Sequence, residues 1–568
     1  MSEGRIAGGS PARPAAQRQA LIERVRELLG ARRVVDAEQV LLSALRQNAN
    51  DVEMLGLLAD FYVEVQRPAE AVQLLTRCIE LAPGRSRAYF ALAAVLERLG
   101  RVADIVDLYT RLCSVQPDLA VAHFNRAVYL RRMDRLDEAV LAYRSAIALH
   151  IDGAADAWSN IGVILGALER HADARAAFMQ ALVADPRWIP ALYNLALLHE
   201  EFGERDAALE LFQRVLAIDP GYHDALVRII YSSTVNDPDD PLLDRVRAAL
   251  QRDDLAPAER EALLFALGKA FDDCGRYDDA FAAYAAGNNI ARARTKAYDR
   301  GAAERQIEAI RASFDAAWLA RVRSVSSRPL LFICGMYRSG TTLLEQMLGA
   351  HPALTPGGEI AYFNVQLERD SVGFPRLIAA ADEAALHALG EGYLDYLEQR
   401  FPGAQCVINK RPDTFAYLGL LHGLFPEARF IVMQRDPLDT CLSIFFEQLG
   451  DPLGYATDLE DIAHYLRGYR ELAQHWQALF PERVMAVKYE QLVGEPERAL
   501  RDVCAFLELP WDAAMLRFPA SGARVRTASV SQIRQRVHTR SVGRWRHYAA
   551  HLRAVANTLG EGREFDEQ

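Results

Sequence analysis

The chain has 568 residues, 51% of them hydrophobic and 25% charged. This excludes a largely disordered or fibrous protein and leaves room for roughly three or four domains. A formal charge of -11 argues against a chain that coats DNA or an anionic membrane through its overall field, while leaving room for a local basic site.

The opening residues, MSEGRIAGGSPARPAAQRQA, hold no apolar core of the kind a signal peptide needs. No apolar run reaches the roughly 18 residues of a membrane span. Residues 1–16 are therefore expected to be disordered and the location cytoplasmic, with a transit peptide as the alternative. The seven cysteines are scattered, without a CxxC pair or a His/Cys cluster at ligand spacing, so reduced thiols and no metal site are expected.

Residues 17–235 show internal repetition before any chemistry. Ala37, Ala71, Ile105, Ala139, Ala174 and Ala208 recur at intervals of 34, 34, 34, 35 and 34. Pro83, Pro117, Pro186 and Pro220 keep step with them, Asp152 standing in at one insertion. Each unit reads as two amphipathic helices, such as AVAHFNRAVYLRRM followed by LDEAVLAYRSAIAL. These units resemble tetratricopeptide repeats from Gln17 to Tyr222, with a displaced copy in LGKAFDDCGRYDDAFAAYAAG. The resemblance implies an α-solenoid with a protein or peptide partner on its concave face. A solenoid that only scaffolds or dimerises the chain stays open.

Residues 236–322, after the turn-rich VNDPDDP, are expected to form a helical capping and linking segment. Within 323–555 short apolar runs, PLLFIC, CVINK, ARFIVMQ and RVMAVKY, alternate with helices. That pattern predicts an α/β three-layer domain around a parallel sheet, with its site beyond the carboxyl ends of the strands. Residues 556–568 are expected to be a flexible tail.

The loop CGMYRSGTTLLEQML follows the first of those strands. It approaches the Walker A pattern, except that Thr341 stands where the lysine would be. A strand, glycine loop and helix start present backbone N–H groups to a phosphate or sulfate. Here Arg338 supplies the charge, and Ser339, Thr341 and Thr342 the hydroxyls around Gly340. The strand ARFIVMQ ends in Arg435, the wrong sign for a Mg²⁺ ligand and the right one for a second anionic group. Asp436 and Pro437 then suit the start of a helix carrying Ser443, which with Arg435 would hold a phosphate.

The paired loops, about a hundred residues apart, resemble the nucleotide motifs of sulfotransferases, and most closely those of protein-tyrosine sulfotransferases. The resemblance covers about Pro329 to Tyr548. It rests further on Glu359 in GGE, 21 residues after Arg338, on Lys410 in NKRPDTF, and on Tyr489 in YEQLV. Ser529 and Gln532, followed 13 residues later by Trp545, complete the match, with Arg544 as the basic residue before the tryptophan. The resemblance implies a P-loop-like sulfotransferase fold and 3'-phosphoadenylyl sulfate (PAPS) as sulfuryl donor.

In that family the first loop holds the 5'-phosphosulfate, and Arg435 with Ser443 the 3'-phosphate. Tyr489 and Arg544 then lie by the nucleotide. Glu359 is expected to act as general base toward an acceptor hydroxyl, with Lys410, Arg338 and Ser529 stabilising developing charge and no metal required. Tyrosine in a protein or peptide is one such acceptor.

The basic stretch from Ser521 to Ala554 is assigned to closing the nucleotide site rather than to nucleic acid, with Arg534, Arg536 and Arg540 as neighbours of the 3'-phosphate. One departure is Glu447, 12 residues after Arg435, where the family has another nucleotide-binding arginine. Rival readings are a repeat adaptor with an inactive nucleotide domain and a divergent P-loop kinase or NTPase.

Overall fold

The computed structural model describes residues 15–369, 374–449, 453–521 and 538–560. The chain divides into two compact units, Met1–Leu195 and Ala196–Gln568.

The first unit is built of helix hairpins, for example Val52–Glu64 with Pro68–Leu81 and Ala120–Arg132 with Leu136–Ala148. The recurring positions Ala37, Ala71, Ile105, Ala139 and Ala174 are each 0% exposed. Side-chain size there sets how closely the two helices of a hairpin approach.

A second periodic feature accompanies them. Arg33, Arg67, Arg101, Arg135 and Arg170 each precede a second helix and pair with an acid three residues on, Asp36, Glu70, Asp104, Glu138 and Asp173. The residue before each arginine closes the hairpin with φ between +57° and +69°. Exposed pairs of this kind contribute only a few tenths of a kcal/mol each, so the left-handed turn does most of the specifying.

In the second unit, helices α1 (Pro257–Asp273) and α2 (Tyr277–Arg294) repeat that whole signature. Gly275 has φ +71°, Arg276 pairs with Asp279, and Ala280 is fully buried. The displaced copy expected there is a hairpin of the same construction.

Five strands follow: β1 (Leu331–Gly335), β2 (Leu354–Pro356), β3 (Cys406–Lys410), β4 (Arg429–Gln434) and β5 (Val484–Lys488). They form one sheet in the order β2-β3-β1-β4-β5, every neighbouring pair parallel. Four are the apolar runs predicted above. β2 is an addition to them, because three residues ending in proline at a sheet edge carry no periodic signal.

The chain leaves β1 for the β2–β3 side and later returns to the β4–β5 side. The loops after β1 and β4 therefore diverge and open a crevice over the carboxyl ends of the strands. Helix α3 (Thr341–Leu348) lays Leu344, Met347 and Leu348 on one face of the sheet, in a core with Ile333, Ile431 and Val487.

Helices α4 (Pro437–Phe445) and α5 (Leu459–Leu479) belong to the nucleotide-motif side of the domain. Here Tyr469 donates to the Met433 carbonyl at 2.6 Å, and buried Trp476 to the Phe415 carbonyl at 2.8 Å. The α1–α2 hairpin clamps the end of α4. Asn288 Nδ2 donates to the Phe445 carbonyl at 2.8 Å, and Tyr284 stacks on Phe446 with ring centroids 4.0 Å apart.

Candidate active site

The loop after β1 is held from within. Ser339 is 1% exposed, and its hydroxyl donates to the Met336 carbonyl at 2.7 Å, so this side chain shapes the loop. Arg338 has φ +65° and Gly340 φ +95°. A Cβ at Gly340 would lie 2.6 Å from Tyr489 Cδ2, and one at Gly335 2.6 Å from Ser339 Oγ. Both glycines are therefore steric requirements, and the chain turns tightly into α3, whose first N–H groups and positive dipole end face the crevice rim. Thr341 is buried and Thr342 half-buried at that start.

Two arginines join this loop to the end of β4. Arg435 Nη1 donates to the Arg338 carbonyl at 2.8 Å and Nη2 to the Ser541 carbonyl at 2.6 Å, while its Nε is buried without a hydrogen-bond partner. Its guanidinium lies 4.9 Å from the centroid of the Tyr489 ring, and burial pulls its pKa down. Arg338 Nε donates to Ser443 Oγ at 3.3 Å, and Nη2 is 3.6 Å from the Glu447 carboxylate. Burial raises the Glu447 pKa against the opposing pull of Arg338 and Arg544.

Helix α4 starts as its sequence predicts. Asp436 caps it by accepting from the Leu438 and Asp439 N–H groups, and Pro437 takes the first position. Buried Asp439 accepts from Gly543 N at 2.6 Å and Trp545 N at 2.9 Å, fastening the C-terminal segment to the start of α4. A cavity of about 440 Å³ lies here, lined among others by Ser339, Arg435, Lys488, Trp545 and Arg546.

On the β2–β3 side, Lys410 Nζ donates to Glu359 Oε1 at 2.7 Å; the lysine side chain is 1% exposed and the glutamate 39%. The turn carrying Glu359 extends the β2–β3 pairing. Gly357 N donates to the Ile408 carbonyl at 2.9 Å, and Lys410 N to the Gly358 carbonyl at 3.0 Å. Tyr337 links the two sides: burial and then the charges of Asp413 and Glu359 push its hydroxyl up to about 12.

The structure thus brings Arg338, Gly340, Arg435, Ser443 and Tyr489 together, and pairs Glu359 with Lys410 on the same rim. Arg544 is held by Asp272 of α1 at 2.7 Å and lies 5.2 Å from the Phe446 ring centroid. Arg540 is exposed. Ser529, Gln532, Arg534 and Arg536 lie outside the described residues. Among the described residues no group of three His, Cys, Asp or Glu is placed to hold a metal ion, and no helix is long and apolar enough to cross a membrane.

Three site residues escape prediction from the sequence. Glu345, 3% exposed, reads as the polar face of a short amphipathic helix. Asp439 reads as a first-turn acid. Tyr231 reads as an ordinary helix aromatic, yet burial and the charge of Glu447 raise its hydroxyl.

Residues 329–513 match the sulfotransferase family, and residues 22–85, 57–119, 124–188 and 166–223 match the tetratricopeptide repeat. An uncharacterized protein of Aquifex aeolicus (strain VF5) is 29% identical over 398 residues, covering 66% of this chain and 51% of its own. The protein-tyrosine sulfotransferase of Drosophila melanogaster is 30% identical over 208 residues, covering 33% of this chain and 40% of its own. Protein-tyrosine sulfotransferase 1 of Homo sapiens is 30% identical over 216 residues, 36% of this chain and 58% of its own. The chain spans about half the length of the curated relatives it matches.

Proposed function

We propose that this chain transfers a sulfuryl group from PAPS to an acceptor hydroxyl, tyrosine in a protein or peptide being the acceptor class the relatives suggest. The observation that carries the reading is the 2.7 Å Lys410–Glu359 pair on the same sheet edge as the glycine loop. In this reading the sulfotransferase domain is 323–555, the solenoid 17–235 binds a protein or peptide, and the compartment is cytoplasmic and reducing.

The residues present fit a donor with anionic groups at two ends. The loop closes so tightly that only glycine fits at 335 and 340, which lets backbone N–H groups approach an anion directly. Arg435 keeps a buried N–H without a partner, a position that a 3'-phosphate oxygen would satisfy together with Ser443. Arg338, Thr341, Thr342, Tyr489 and Arg544 complete the binding set. When bound, the donor supplies an activated sulfuryl group and a stable leaving phosphate.

The chain's own contribution is positional and electrostatic. Glu359, half-exposed, takes the proton from the acceptor hydroxyl. Lys410 orients Glu359 in the free protein and offers a buried cation to charge that builds on the reacting oxygens, with Arg338 and Ser529 beside it. Arg435 at the end of β4 disfavours the kinase reading, which asks for an acidic Mg²⁺ ligand there.

Incubating the full chain with radiolabelled PAPS and a fractionated lysate tests the reading: one hydroxyl-bearing component should gain label. Thermal stabilisation by ATP and not by adenosine 3',5'-bisphosphate would contradict it.

A further inference from the structure

Glu345 occupies a position that ordinary packing does not explain. Its neighbours on α3, Leu344, Met347 and Leu348, are core residues at 0% exposure, and Glu345 is itself 3% exposed. A carboxylate in such a place is costly unless it has specific partners. Burial pushes it up to about 7, against the pull of Lys410 and of the Gly358 N–H. Its partner is the backbone immediately before Glu359: Gly358 N donates to Glu345 Oε1 at 2.8 Å.

Gly358 is therefore fixed on both sides. Its N–H is taken by Glu345 from α3, and its carbonyl accepts from Lys410 N of β3 at 3.0 Å. Its φ of +68° is a left-handed conformation that releases Glu359 toward the rim. Side chains from three successive elements thus converge: Glu345 from the helix after β1, Glu359 from the turn after β2, and Lys410 from the end of β3.

We propose that Glu345 is a positioning residue for the Glu359–Lys410 pair, acting through the Gly358 amide. The inference rests on the sulfotransferase reading above. In it the glycine loop and the general base are coupled, because one short helix starts the anion-binding loop's dipole and, one turn later, holds the base-bearing turn in register with β3. A displacement of about 1 Å at a catalytic group is enough to cost about a hundredfold in rate.

The test uses the full chain with two readouts: affinity for adenosine 3',5'-bisphosphate by calorimetry, and its release from PAPS with water as acceptor. Glu345→Gln keeps an oxygen that accepts the Gly358 N–H and should stay within about threefold of the parent rate. Glu345→Ala should turn over at least about tenfold more slowly with unchanged nucleotide affinity. Glu345→Met, which fills the same apolar surroundings, replaces the alanine variant if that one does not fold.

Alanine or methionine at the parent rate, or glutamine as slow as alanine, would overturn the assignment. A parent protein that fails to bind adenosine 3',5'-bisphosphate would instead overturn the donor reading, leaving the two failures distinguishable.

Discussion

Arg338 and Glu447 face each other at 3.6 Å, one from the loop after β1 and the other from the turn that ends α4. The same arginine reaches Ser443, so the two anion motifs are already bridged by side chains. A carboxylate stands where the family resemblance implies another arginine, and its charge is met by Arg338 and Arg544.

Nucleotide affinity should depend on the protonation of Glu447. Burial raises this carboxyl, and an arriving phosphate adds negative charge that raises it further. Adenosine 3',5'-bisphosphate should therefore bind more tightly as the pH falls, with proton uptake visible in calorimetry across buffers of different ionisation enthalpy. Glu447→Gln should abolish the proton uptake and tighten binding at pH 8 by about tenfold, or about 1.4 kcal/mol. Binding with the same pH slope in parent and variant would remove this account.

Arg435→Ala should discriminate between ligands. Loss of a charge-assisted contact to the 3'-phosphate predicts a fall of about ten- to a hundredfold for adenosine 3',5'-bisphosphate. Affinity for AMP, which lacks that phosphate, should change far less. Equal losses for both ligands would mean that Arg435 only supports the loop through its bond to the Arg338 carbonyl.

Gly340→Ala should damage folding and binding together. The φ of +95° and the 2.6 Å approach to Tyr489 leave no room for a methyl group, and strain of this kind costs about 1–3 kcal/mol. Chemical denaturation would show the loss, and nucleotide-induced thermal stabilisation should disappear. A variant with unchanged stability and binding would refute the packing argument.

The Glu345 carboxyl should also leave a mark on stability. Its folded pKa lies above its ordinary value of 4.5, at about 7. The folded state therefore holds this proton after the unfolded chain has released it, and stability is lost as the pH rises from about 4.5 through about 7. The full effect is about 3 kcal/mol. Relative to the parent, Glu345→Gln should gain stability between pH 5 and pH 8 in urea denaturation. A parent–variant difference that stays constant over that range would contradict the burial of an ionisable group there.

The legible parts of the molecule are those that are local or periodic in sequence. The fully buried Ala37, Ala71 and Ala139 are visible as a 34-residue ruler, and β1, β3, β4 and β5 as short apolar runs. The Asp436 cap with Pro437 is readable from three adjacent residues. Whatever depends on distant segments meeting stays hidden. Glu345 looks solvent-facing until the turn after β2 covers it, and Glu447 gains its meaning only from Arg338, more than a hundred residues away. Asp439 looks like a helix-start acid until Gly543 and Trp545 dock on it. The β2 strand is too short to announce itself.

The most direct measurement is sulfuryl transfer from radiolabelled PAPS by the parent chain and by Glu359→Ala, each with its affinity for adenosine 3',5'-bisphosphate measured in parallel. The account predicts that the variant binds the nucleotide like the parent and transfers at least about a hundredfold more slowly. Transfer at the parent rate by Glu359→Ala would contradict it.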